Sequence, residues 1–294
     1  MKRELDHVGV AVKSLDRGRD AFARLGFQLT GRSFHSGSAS AGAPVTPWGS
    51  GNHCAMFREG YLEIIGLTDS SMYSTVKDMV ARYEGLHIVA IGCADADAAY
   101  AQFQQAGAPV EAPRALERDA PFGPGEREMR RAKFRNMYVE RNKFPEGRFI
   151  FIEHLTRDVL WQPHLLDHPN GALGIDAVYF VVADPRETAG KFSPLFSERA
   201  ECVEHFPGGA KLSLDRGAMW LATEQGWRER VPGTFVPPVP SPAGFGIRVQ
   251  SIDATRRYLE SQGVKVHAGM NASQLWVAPE DACGAAIQFF QAEK

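Results

Sequence analysis

Residues Leu5–Val12 read L-D-H-V-G-V-A-V. In a β-strand successive side chains point to opposite faces. Val8, Val10 and Val12 therefore share a face suited to packing under a helix. His7, Gly9 and Ala11 share the other, which is nearly bare apart from one imidazole, as expected of a strand lining a cavity. Helix-start residues Ser14-Leu15-Asp16 follow at once, then Arg17–Leu25 and a closing Gly26-Phe27. This is one β-α unit with a histidine at its mouth.

The unit recurs, and an internal repeat decides the architecture. A second copy is Leu86–Ile91 with Asp95, a helical run to Gln105, and Gly107. A third is Gly174–Val182 with Asp184-Pro185 and a helix to about Leu195. A fourth is Gly244–Val249 with Asp253, a helix through Gln262, and Gly263. Asp near a helix start accepts from its free N–H groups, and Gly tolerates the left-handed C-terminal cap. Each copy leads to a distinctive last strand: Gly60–Ile65, Phe149–Glu153, Ala218–Ala222 and Ala285–Phe290. The pattern predicts an α+β fold of four βαβββ modules paired into two domains. Residues 1–170 hold modules 5–69 and 85–155, and residues 171–294 hold modules 173–225 and 243–291.

The chain has 294 residues, 44% hydrophobic and 23% charged, enough for two domains with sizeable cores. A net charge of −2 and the lack of a basic run beyond the mixed stretch Arg127–Lys133 favour neither nucleic acid nor a membrane surface. No signal-peptide core or membrane-length apolar run is present. Cys54, Cys93, Cys202 and Cys283 lack CxxC spacing, which predicts reduced thiols in a cytoplasmic protein. Gly31–Gly51 predicts a strand and long loop at the rim of a site. Pro113–Lys133 predicts loop with some helix, and Ser70–Tyr83 a connecting helix.

The first strands of the first two modules each carry a histidine, His7 and His87, and the last strands each carry a glutamate, Glu63 and Glu153. Two imidazoles and two carboxylates form a ligand set suited to a divalent metal ion such as Zn, Ni, Mn, Fe or Co. The carboxylates would offset the ion's charge within the sheet.

The order His…Glu…His…Glu on paired βαβββ modules, with the phrases L-D-H-V-G-V-A-V, G-N-H-C-A-M-F, Y-L-E-I-I and F-I-F-I-E-H, resembles the vicinal oxygen chelate superfamily, and most of all its glyoxalase-type branch. The resemblance is close over Leu5–His154 and architectural beyond. It implies that His7, Glu63, His87 and Glu153 are metal ligands and that Glu63 or Glu153 is the proton-shuttling base. The implied reaction is a lyase or isomerase step on a small substrate with vicinal oxygens, through a metal-stabilised enolate. Glutathione is not implied by any residue. A second reading is an extradiol-type ring-cleaving dioxygenase using His7, His87 and Glu153; a third is a small-molecule binding or resistance protein. His53, Tyr61, Trp48, Arg135 and Tyr138 are candidates for the substrate pocket, and His154, His164 and His168 receive no catalytic role.

In the C-terminal half the counterpart of His7 is Ala177, that of His87 is Gly246 or Ile247, and Ala222 and Gln288 stand in place of the glutamates. This half is expected to lack ligands. Covering its partner, forming a homodimer face or trimming the pocket are its expected roles.

Overall fold

A computed structural model describes residues 3–37, 44–196 and 202–291. The N-terminal half runs β1 (Glu4–Val12), α1 (Leu15–Arg24), β2 (Ser33–Gly37), β3 (Thr46–Met56), β4 (Tyr61–Leu67), α2 (Val76–Arg82), β5 (Gly85–Gly92), α3 (Ala96–Gln105), β6 (Arg114–Phe122), β7 (Glu128–Tyr138) and β8 (Arg148–His154). A short α4 (Arg157–Leu160) begins the connector. The second half runs β9 (Ala172–Val181), α5 (Pro185–Phe196), β10 (Val203–Phe206), β11 (Gly209–Ser213), β12 (Ala218–Ala222), α6 (Glu224–Arg230), β13 (Ser241–Val249), α7 (Ile252–Ser261), β14 (Val266–Ala268), β15 (Gln274–Val277) and β16 (Ala286–Gln291).

The strands form two eight-stranded sheets, ordered β2-β3-β4-β1-β5-β8-β7-β6 and β10-β11-β12-β9-β13-β16-β15-β14. Each sheet joins two βαβββ modules through their first strands, β1 to β5 and β9 to β13, as the repeat predicts. The Pro113–Lys133 insertion is a correction: it forms the β6–β7 hairpin, whose ladder runs from Arg114↔Asn136 to Phe122↔Glu128. Its polar sequence hid the strands because most of its side chains are exposed. The expected rim loop falls partly on residues 38–43, outside the described residues.

Helix capping follows the expected grammar with one exchange. Asp95 accepts from the backbone N–H groups of Asp97 and Ala98 at α3. At α1 and α7 the caps are Ser14 and Ser251, and Asp16 and Asp253 sit in the first turn, where a carboxylate favours the helix dipole. The Val face of β1 joins a core cluster with Leu62, Ile64, Val89, Phe149 and Phe151 that continues into Val178, Phe180, Phe245 and Phe289 of the other sheet. The opposite face of the first sheet is the cup.

Candidate functional site

Two bulges govern which side chains enter the cup. Leu5 pairs with Ile91 and His7 with Ala90, so Asp6 is an extra residue in β1; Gly9 pairs with Ile88 and Val10 with Leu86, so His87 is the extra residue in β5. The C-terminal sheet repeats the device. Ile175 pairs with Ile247 and Ala177 with Gly246, leaving Asp176 extra; Tyr179 pairs with Gly244 and Phe180 with Pro242, leaving Ala243 extra. The bulged residues Asp6, His87, Asp176 and Ala243 are thus mutual counterparts. The residues after them, His7, Ile88, Ala177 and Gly244, form the next set. His87 is therefore the counterpart of Asp6, and the position matching His7 in the second module holds Ile88.

The last strands follow from the parallel ladders. Glu63 lies beside Gly9, Ile150 beside Ala90, Trp220 beside Tyr179 and Gln288 beside Gly246. The counterpart of Glu63 in its partner module is Ile150, and in the C-terminal half Trp220 takes that place rather than Ala222. Of the four corners where a paired-module ligand set would stand, the N-terminal cup holds His7 and Glu63 on one side and Ile88 and Ile150 on the other. The isoleucines pack with Ala11, Ile65, Val76, Met79, Val80, Ala90 and Ile152 in an apolar cluster.

The other two expected ligands are engaged elsewhere. His87 is buried in its bulge, stacked on Tyr83 at 4.0 Å, with Nε2 2.9 Å from the Tyr83 carbonyl. Burial lowers its pKa to about 4. Glu153 shares a face with Phe151, and that face is the core side of the sheet, opposite the cup. Its Oε2 accepts from Ala96 N at 3.0 Å at the start of α3, and Arg135 lies opposite it in the ladder. Strand alternation sends Ile150, Ile152 and His154 into the cup instead. Among the described residues no group of three or more His, Cys, Asp or Glu side chains is placed to hold a metal ion. The residues present do not fit the four-ligand centre or the His7–His87–Glu153 triad, because one histidine is displaced by a bulge and one glutamate by strand parity.

What the cup holds is a different set. Glu63 is half-buried, with Oε1 2.5 Å from Asn52 Nδ2. His35 stands near it, its Nδ1 3.0 Å from Ser50 Oγ. Burial depresses the His35 pKa, while Glu63 pulls it up and Arg118 and Arg148 push it down. Arg118 reaches from β6 to donate to Ser33 Oγ of β2 at 2.9 Å, and Gly31 N donates to Glu126 at 2.8 Å. These bonds draw the two outer edges of the sheet together. The seam encloses a cavity of about 30 Å³ lined in part by Cys54, Met56, Tyr61 and Arg118, room for roughly one water.

Beside this lies a cluster absent from the expected site. Asp6 is fully buried; its Oδ1 is 2.8 Å from His7 Nδ1 and 3.1 Å from His154 Nε2. Burial alone would raise its pKa, but the bonds and charges of His154 and His7 outweigh that and hold it far below the usual carboxylate range. His7 stacks on Tyr61 at 4.2 Å, and His154 meets Trp161 edge-on at 4.9 Å. The sequence signal for His154 was available in its alternation with Ile150 and Ile152; that for Asp6 was not, since a bulge leaves no mark on the pattern.

The remaining pocket candidates divide. Tyr61 and Tyr138 face the cup; the ring of Tyr138 is flanked by Arg148 at 5.3 Å. Trp48 sits at the rim, its indole donating to the Gly37 carbonyl at 3.1 Å. His53 lies on the other face of β3, Nδ1 2.8 Å from the Thr30 carbonyl, and Arg135 points outward to a two-pronged pair with Asp97 at 2.6 Å. Those last two are corrections, both from strand parity.

Paired βαβββ modules closing a cup define the vicinal-oxygen-chelate class. Residues 5–196 match the family described as Glyoxalase-like domain, and the chain belongs to it. The fold is similar to a hypothetical protein from Staphylococcus aureus, with 13% identity, TM-score 0.63 and coverage of 99% of this chain and 100% of that one. It is also similar to a substituted 4-hydroxymandelate synthase from Streptomyces coelicolor, with 14% identity, TM-score 0.57 and coverage of 99% and 92%. A third likeness is to a xylose isomerase-like TIM barrel/4-hydroxyphenylpyruvate dioxygenase fusion protein, with 13% identity and TM-score 0.59, covering 100% of this chain and 49% of that one. No curated protein sequence matches the chain. No helix among the described residues is long and apolar enough to cross a membrane.

Proposed function

We propose that the protein is a glyoxalase-like lyase or isomerase in which Glu63 moves a proton on a small substrate bearing adjacent oxygens. The observation that carries this reading is the setting of Glu63 on the cup face. One oxygen is held by Asn52, which orients the carboxylate. The group stays partly exposed, so the carboxylate remains reachable. Arg118 and Arg148, which act electrostatically on His35 in the same cup, favour an oxyanion developing there. The proton that Glu63 takes from one carbon returns from Glu63 to the neighbouring position, and the His35 ring beside it can hydrogen-bond the substrate oxygen without changing charge. No step is assigned to a metal, because the expected ligands do not assemble.

The test is exchange of carbon-bound protons for deuterium, followed by NMR in D₂O with oxygen excluded. The probes are pyruvate and hydroxyacetone. Exchange with at least one probe is expected, and Glu63→Gln should slow it by about 10²–10⁴-fold while leaving probe affinity within a few-fold. Native-rate exchange in that variant would remove Glu63 as the base. Saturable binding of a probe without any exchange would favour the binding-protein reading.

A further inference from the structure

The C-terminal cup, expected to be silent, contains the roomier cavity. It measures about 120 Å³ and is lined in part by Tyr179, Trp220, Trp227, Trp276, Gln288 and Arg230. Trp220 and Gln288 hold the places that Glu63 and Ile150 occupy in the other half. Where α2 fills the first cup with Val76, Met79 and Val80, the matching α6 contributes the flat edge of Trp227. The counterpart of Gly9 is Tyr179, whose ring lies 5.2 Å from Trp276 and 6.4 Å, stacked, from Trp220.

We propose that this cavity is a binding site for a single-ring aromatic carboxylate. Size limits the ring count: at about 120 Å³ the cavity is below the roughly 150 Å³ of an enclosed site that accepts benzene, so it takes at most one ring, with the substituent left at the mouth beside exposed Arg230. Planar walls set the shape, since stacked and edge-on contacts with indole and phenol rings favour a flat aromatic guest over a branched aliphatic one. Charge sets the substituent. Arg230 is the charged residue in the lining, and no carboxylate lines the cavity with it. Among the described residues Arg230 makes no ion pair; its guanidinium rests over Phe206, 5.0 Å from the ring centre. A cationic guest would meet that arginine with no acid to offset it, and Lys211 already sits over Trp220 at 5.3 Å. Gln288, also in the lining, accepts from the Tyr179 hydroxyl, and its Nε2 lies 3.3 Å from Gln274 Oε1. That amide–phenol pair can meet a ring hydroxyl and otherwise stays satisfied.

The experiment is isothermal titration calorimetry on the full chain with benzoate, 4-hydroxybenzoate, benzamide and benzyltrimethylammonium. Saturable binding of one equivalent of benzoate or 4-hydroxybenzoate is expected, with benzamide about tenfold or more weaker, because it has the ring without the charge. Arg230→Gln, an exposed change that spares the fold, should weaken benzoate by about 10–100-fold and leave benzamide unmoved. Trp220→Phe should weaken both, and Glu63→Gln in the other cup neither. The proposal is overturned if no carboxylate binds, if benzamide or the ammonium probe binds as tightly as benzoate, if Arg230→Gln leaves benzoate affinity intact, or if Glu63→Gln abolishes binding.

Discussion

His87 shows what one residue's place in a ladder decides. As the extra residue of a bulge it leaves the cup, bonds the Tyr83 carbonyl and loses solvent. Burial is the main cause of its pKa falling to about 4, with Arg82 and Arg141 adding to the fall and the Tyr83 carbonyl opposing it. In the unfolded chain the same imidazole titrates near 6.5. Between those values the unfolded state binds the extra proton, so stability present above pH 6.5 is lost as pH falls toward 4. At pH 4.5 the loss from this residue is about 2 kcal/mol relative to pH 7. His87→Gln keeps an N–H for the Tyr83 carbonyl and removes the titration. Urea unfolding at pH 7.0 and 4.5 should show the native protein losing about 2 kcal/mol more than the variant. Burial also lowers His35, His53 and His168, but they titrate in both proteins and cancel in the difference; equal losses would refute the assignment. The same bulge explains what the sequence could and could not disclose. His7 and Glu63 were legible because β1 and β4 keep simple alternation on that side. His87 was matched to the wrong partner, since an unpaired residue shifts every later position by one without changing composition.

At the scale of elements, capping and alternation made the helices and first strands readable, while the β6–β7 hairpin was hidden by exposure. Its side chains are largely solvated, so no apolar period marks them. The close fit of α1 on the sheet was equally invisible, because Gly18 looks like a poor helix residue. An alanine there should gain about 1 kcal/mol of helix propensity. Yet a Cβ on Gly18 would lie 2.8 Å from Ile64 Cγ2 and 2.9 Å from Val12 Cγ2. Both neighbours are fully buried, branched residues of the core, and overpacking such a site costs about 1–3 kcal/mol. Packing should win. Gly18→Ala is expected to lower stability by about 1 kcal/mol in urea unfolding, the balance of those two effects; a gain in stability would mean that α1 rides clear of the sheet.

At the scale of the molecule, the two halves are tied by crossed, pseudo-symmetric contacts. Glu4 bridges to Arg216, and Glu59 bridges to Gly174. Arg216 donates to the carbonyls of Leu5 and Ile175, and Arg248 pairs with both Asp176 and Glu59. Asp176 is the counterpart of Asp6, so one bulge position anchors a histidine pair in one half and an arginine pair at the junction in the other. Between these ties the aromatic core is continuous. Phe27 stacks on Phe289 at 6.1 Å, and Phe149 on Phe180 at 5.9 Å with Phe192 and Phe196 beside it. A core shared in this way couples the unfolding of one half to that of the other. Phe149→Ala, which empties a fully buried site touching both sheets, should cost about 3–5 kcal/mol. The loss should fall on both halves together. Hydrogen exchange of β1 and β13 should speed up by the same factor, and the urea midpoints from far-UV circular dichroism and tryptophan fluorescence should move in step. Faster exchange in β1 with β13 unchanged would show that each sheet unfolds on its own and that the aromatic contacts between them carry little of the stability.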